Sequence, residues 1–117
     1  MITSTRSDLR AFVDRFMECQ SGRDPAAMAQ LYAIDGTADS PMYGSLTGRP
    51  AIEEAYRAFF TSFPDAKAEI ESVIIEPPCA VIFATFTATH RNDFFGLPGT
   101  NRRIDFRSAR LLELMAI

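Results

Sequence analysis

The chain has one histidine, His90, and it stands where the pattern changes. An apolar-rich run ends on Thr89-His90, the loop RNDFFGLPGTN follows, and Arg102-Arg103 then enter a run in which Asp105 lies between Ile104 and Phe106. An imidazole titrates near neutrality, so it can polarise a carbonyl or hand over a proton. Burial among apolar neighbours raises a carboxyl pKa and makes it a better base, whereas a nearby imidazolium pulls it back. Paired guanidinium groups can hold a carboxylate or ester through parallel hydrogen bonds. Each residue also has a plain structural use. His90 can be satisfied by the loop backbone, Asp105 can pair with Arg103 or Arg107 on an outward strand face, and an arginine pair can simply open a solvated strand. The residue types leave these alternatives open.

Other chemistries find little support. Cys19 and Cys79 are far apart in sequence and outside any CxxC or Cys/His grouping, so they read as reduced, buried thiols. One histidine without paired ligands builds none of the usual metal sites, and no phosphate loop or Ser-His-Asp set is present. Asp35 and Asp39 sit in turn-rich sequence and read first as capping or Asx-turn residues. Lys plus Arg number 12 against 15 Asp plus Glu, a formal charge of -3, which supplies no overall positive field for nucleic acid or anionic lipid. No stretch reaches the roughly 18 apolar residues of a membrane span and the N-terminus lacks an apolar leader, so a cytoplasmic location is expected. Ten Phe with no Trp weight the aromatic content toward packing or an apolar pocket.

The elements that must position these residues follow from periodicity. At 117 residues the chain fits one domain, 1–117. Ser7 can cap a first helix of about four turns whose Leu9, Phe12, Val13, Phe16 and Met17 recur at spacings of three and four, with Gly22 past its end. Asp24-Pro25 reads as cap and first position of a short second helix carrying Met28, Leu31 and Tyr32, stopped by Asp35-Gly36. The segment ADSPMY is expected as one short extended piece that Pro41 restricts to an edge. Gly48-Arg49-Pro50 opens a third helix with an apolar stripe of Ile52, Ala55, Tyr56, Phe59, Phe60 and Phe63, ended by Pro64. Three strand-like runs follow: AEIESVII, AVIFATFTATH and RIDFRSARLLELMAI, the first two joined by Glu76-Pro77-Pro78. Helices first and an antiparallel meander after them predict an α+β fold with the helices on one face of the sheet. His90 then closes a strand whose same-parity residues are Ile82, Ala84, Phe86 and Ala88, a placement that suits the rim of a pocket.

Several phrases together resemble the SnoaL-like polyketide cyclase branch of the NTF2-like superfamily. They are Gly48-Arg49 with Ala51-Ile52, then Phe63-Pro64-Asp65, Thr89-His90, Phe94 with Gly96 and Pro98, and Arg102-Arg103. The resemblance runs from about Ser7 to the C-terminus. It implies a cone-shaped, curved antiparallel sheet with three N-terminal helices and a mouth near the loops. Two departures bear on the loop and the sheet. Asn92 and Gly99-Thr100-Asn101 differ from the family loop, and the family commonly continues past Ile117 into one more strand. The last strand is therefore expected to be missing, leaving an edge open to a second chain.

The resemblance also implies a chemistry: closure of a polyketide-like carbonyl compound by an aldol-type reaction without cofactor. By that analogy Asp105 is the base and His90 its acid–base partner. Tyr32, Tyr43, Phe60, Phe63, Phe86 and Phe94 are candidate lining residues for a flat, apolar ligand, and Arg102 is a candidate to orient it. The same scaffold implies a homodimer. Compared with ketosteroid isomerases, Phe16 and Ser40 stand where that branch places its oxyanion-stabilising Tyr and its base Asp, which disfavours isomerase chemistry by that mechanism. The rival reading is a non-catalytic ligand-binding or dimerisation module of the same fold.

Overall fold

The computed structural model describes residues 5–114. Three helices precede the long strands. Helix α1 (Arg6–Ser21) buries Leu9, Val13, Phe16 and Gln20, one face at the helical repeat. Its cap is Thr5 rather than Ser7. The Thr5 hydroxyl accepts from the Asp8 amide at 3.1 Å while the Asp8 carboxylate accepts from the Thr5 amide at 2.9 Å. That reciprocal box requires an acidic residue three positions on, which Thr5 has. Helix α2 (Pro25–Gln30) is capped as expected, the Asp24 carboxylate accepting from the amides of Ala26 and Ala27.

Residues around Pro41 form two strands where one was expected. Strands β1 (Thr37–Ser40) and β2 (Gly44–Thr47) pair as an antiparallel hairpin and make their own two-stranded sheet. Pro41 sits in the turn, where its fixed φ helps and its missing N–H costs nothing. Gly48, at φ 88°, swings the chain into helix α3 (Arg49–Ser62), whose Ile52, Phe59, Phe60 and Ser62 are buried.

Strands β3 (Lys67–Glu76), β4 (Cys79–Thr89) and β5 (Arg103–Glu113) form the antiparallel meander in that order. Along β4 the even-numbered side chains Ala80, Ile82, Ala84, Phe86 and Ala88 are buried and the odd-numbered ones from Cys79 to Thr87 only half-buried. The even face is therefore the inner face. A bulge between Ile70 and Ser72 shifts β3 by one residue, so that Val73 and Ile75 meet the inward Ile82 and Ala80. Leu9, Val13 and Phe16 of α1, Met28 of α2 and Phe59 and Phe60 of α3 complete the core against this face. Among the described residues β5 pairs on one side only, with β4. Cys19 and Cys79 are both free thiols, but half-buried rather than fully buried: Cys19 packs at the edge of the core, and Cys79, odd-numbered on β4, faces outward beside Glu113.

Candidate functional site

His90 is the last inward residue of the β4 alternation, and several contacts fix it there. The Asp65 carboxylate clamps the end of β4, accepting from the Thr89 amide and hydroxyl at 2.7 Å each. Those two bonds hold its pKa below the usual aspartate range. The His90 amide donates to the Arg102 carbonyl at 3.0 Å, and the His90 carbonyl accepts from the Asn101 amide at 2.8 Å.

The loop after His90 is pinned to the end of α3, whose last carbonyls have no intrahelical partner. The Arg91 amide reaches the Ser62 carbonyl at 2.9 Å, and the Asn92 side chain donates to the Thr61 carbonyl at 2.7 Å. Phe94 and Leu97 exchange two backbone hydrogen bonds across a tight turn. Its central residues, Phe95 and Gly96, have φ of 50° and 84°. Gly99 passes so close to Arg91 that a Cβ there would overlap the Arg91 carbonyl. This packing delivers the Thr100 hydroxyl to His90 Nδ1 at 3.2 Å.

The imidazole is 6% exposed, its ring centre lies 5.4 Å from that of Phe63, and its Nε2 is buried with no hydrogen-bond partner among the described residues. An unpartnered buried polar atom costs about 1–3 kcal/mol. Natural interiors rarely leave such a cost standing without a use.

An aromatic chain extends from the imidazole along α3. Phe63 packs on Phe59 and Phe94, Phe59 on Phe60 and Phe86, and Phe60 stacks on Tyr56. At the far end the Tyr56 hydroxyl lies 2.8 Å from that of Tyr32 and accepts from Arg110 at 3.1 Å. Tyr32 is held in turn by Arg49, whose Nε donates to its carbonyl at 2.8 Å. Burial pushes the Tyr32 phenol well above the usual tyrosine value, and the Tyr43 phenol up to about 12, while the Arg110 charge opposes both shifts. The Tyr43 ring, from the β1–β2 turn, meets Phe95 at 5.7 Å, so hairpin and loop touch above this region.

The structure brings His90, Phe60, Phe63, Phe86 and Phe94 together on one aromatic wall, with Tyr32 at its far end beside Tyr56 and Tyr43 against Phe95 of the loop. It does not bring Asp105 to His90. Asp105 pairs in register with Thr87, an odd-numbered residue, and is exposed on the outer face. Successive strand residues face opposite sides, so the inward neighbours on β5 are Ile104 and Phe106. The outward face agrees with the structural alternative for Asp105, but among the described residues it ion-pairs with neither Arg103 nor Arg107, the latter binding Glu71 at 3.0 Å. Arg102 is likewise exposed; its backbone, not its guanidinium, serves the site. The residue that sequence reasoning missed is Arg110. The one available signal was its parity with Phe106 and Leu112 in a run where neither face is uniformly apolar.

Several comparisons bear on what this arrangement belongs to. A steroid Delta-isomerase of Nocardioides simplex is 43% identical over 53 residues, a match spanning 44% of this chain and 43% of that protein. In this chain Phe16 lies under the Arg110 guanidinium, and the Ser40 hydroxyl accepts from the Met42 amide. Among solved structures, AclR of Streptomyces galilaeus superposes with a TM-score of 0.81 at 18% identity, covering 95% of this chain and 82% of its own. A protein of ketosteroid isomerase-like fold from Catenulispora acidiphila gives 0.76 at 20% identity, covering 89% and 75%. A SnoaL-like polyketide cyclase from Agrobacterium tumefaciens gives 0.70 at 16%, covering 96% and 83%. These identities speak for the fold, an α+β architecture of the NTF2/ketosteroid isomerase type. The sequence pattern of one family matches residues 10–115, nearly the whole chain, and this protein belongs to that family, the SnoaL-like polyketide cyclases.

Proposed function

We propose that this protein is a cofactor-independent enzyme of the cyclase or isomerase type, acting on a small polyketide-like carbonyl compound with His90 as its acid–base group. The observation that carries the reading is the buried, unpartnered Nε2 of His90, whose other ring nitrogen faces Thr100. Such an atom is free to take a proton from a carbon between two carbonyls. The enolate so formed attacks a second carbonyl carbon in an aldol closure, and the same nitrogen returns the proton to the new alkoxide. One carbon–carbon bond forms and no electrons are transferred to or from the protein. Phe60, Phe63, Phe86 and Phe94 supply the apolar wall, and Tyr32 and Tyr43 its polar margin. Asp105 and Arg102 take no part in this reading, since both side chains are exposed.

The test is hydrogen–deuterium exchange at the C–H between the carbonyls of an aromatic β-keto ester, followed by NMR. His90→Gln should slow catalysed exchange about a hundredfold, the usual worth of one positioned acid–base group. Exchange at the parent rate in His90→Gln removes His90 from the chemistry.

The void at the inner face favours a second reading, a non-catalytic ligand-binding or dimerisation module. It measures about 10 Å³, room for roughly one water. Exchange no faster with protein than with buffer, together with saturable ligand binding, selects that reading. A second copy of the chain is the proposed protein partner in either case, supported by the outward apolar row of Ile74, Val81 and Leu111.

A further inference from the structure

The inner face carries a second polar point besides His90. Arg110 reaches it from β5, in register with Ile82. Its guanidinium lies 5.2 Å over the Phe16 ring, and one nitrogen donates to the Tyr56 hydroxyl. No carboxylate approaches it to within ion-pairing distance among the described residues. Arg110 is half-buried, and it lines a cleft with Phe16 and Gln20 of α1, Ile82 and Phe86 of β4 and Ser108 of β5. Withdrawing a charge from water without an opposite charge is unfavourable. A cation–π contact and one phenol oxygen answer only part of a guanidinium that has five N–H donors.

The surroundings say what would complete it. Phe86 and Phe106 stack face to face at 5.3 Å with their planes 5° apart, and Phe106 is still 38% exposed on this inner face. An apolar, flat surface thus borders an uncompensated fork of donors, with the Ser108 hydroxyl two residues away on the same strand face. We propose that Arg110 and the Tyr56 hydroxyl form an anion-binding subsite for an aromatic ligand that carries a carboxylate or enolate oxygen. The ring system lies against Phe106, the exposed member of the Phe86–Phe106 stack, outside the one-water cleft, and the anionic oxygen takes the free donors of Arg110. The position of Tyr56 is fixed for this purpose by Tyr32, whose backbone Arg49 holds. The inference deepens the ligand-site reading and rests on it. It places the recognised charge two turns of α3 from Phe63 and His90, about 10 Å along the helix.

The experiment measures binding of 2-naphthoate, of its neutral methyl ester and of a cyclic 1,3-diketone that is an enolate at neutral pH. Titration calorimetry or ligand-observed NMR reads the affinities for the parent, Arg110→Gln, Arg110→Lys and Tyr56→Phe. In the parent the naphthoate should bind about tenfold or more tighter than the ester, the scale of one charge-assisted hydrogen bond. Arg110→Gln should erase that preference, and Arg110→Lys, which keeps the charge without the fork, should retain part of it. Tyr56→Phe should weaken the anion and spare the ester. An Arg110-dependent preference for the diketone alone identifies the anion as an enolate. Equal affinity for acid and ester without an Arg110-dependent preference for the diketone, a preference that survives Arg110→Gln, or binding of no probe overturns the subsite. Thermal unfolding of each variant separates these results from misfolding, and Arg110→Lys supplies a conservative variant. Failure here leaves the exchange test at His90 to decide the acid–base reading by itself.

Discussion

The Thr100 hydroxyl lies 3.2 Å from His90 Nδ1 and also accepts from the Arg102 amide at 3.3 Å, so one loop side chain ties the imidazole to the start of β5. Thr100→Val replaces that hydroxyl with a methyl of similar shape and leaves both ring nitrogens without a partner. The expected loss is about 1–2 kcal/mol in urea unfolding, with slower β-keto ester exchange. Gly99→Ala should do more, because its Cβ collides with backbone that cannot move independently of the loop. Unchanged His90 ring signals in Gly99→Ala would show that the loop does not position the imidazole.

Asp105 and His90 are on opposite faces of the sheet, and this has a direct consequence in solution. Asp105→Asn should leave the NMR signals of the His90 ring in place and change stability by no more than about 0.5 kcal/mol, as at an ordinary surface position. A large displacement of the ring signals would contradict the β4–β5 register.

Asp65 makes stability depend on acidity. Its folded-state pKa is depressed by the Thr89 bonds, so its contribution is present above the ordinary aspartate value and disappears as the pH falls through the lower, folded value. Asp65→Asn should flatten this part of the stability-versus-pH curve, measured by urea unfolding between about pH 2 and 5. A variant curve as steep as the parent's would remove the clamp from the account.

At the alkaline end the buried phenols act with the opposite sign. Tyr43 and Tyr32 have raised folded values, so their stabilisation is complete below the ordinary tyrosine value and is lost as the pH rises toward about 12 for Tyr43. Absorbance titration should show these two phenols ionising late and together with unfolding. Ionisation of all three tyrosines well before unfolding would mean that the Tyr43 ring is not held against Phe95.

On the outer face Ile74, Val81 and Leu111 stand side by side across the three strands, and Ile74 and Leu111 are 57% and 66% exposed. A row of this kind suits a protein contact. Leu111→Lys should convert a dimer to a monomer in light scattering with little effect on monomer stability. A parent protein that is monomeric at every concentration would remove the second copy from the reading.

What local sequence could determine, it determined well. The stripe from Ile52 to Phe63 makes α3 legible because helical spacing and a terminal Pro64 need no distant partner. The alternation of β4 likewise marks His90 as inward from its own strand. The hairpin around Pro41 and the Thr5 cap are harder to read from sequence, since each depends on one local hydrogen-bond pattern among several that the residues allow. β5 resists such reading altogether: its two faces hold Phe106, Ser108 and Arg110 on one side and Asp105, Arg107 and Leu111 on the other, neither uniformly apolar. Its orientation was decided by how the loop from Arg91 to Arg102 docks on the end of α3 and sets the pairing of Phe86 with Phe106. Likewise the meeting of Arg110 with Tyr56, 54 residues apart, exists only once helix and sheet pack. Periodicity is a property of neighbours in the chain, whereas register and the company of a buried charge are set by tertiary packing.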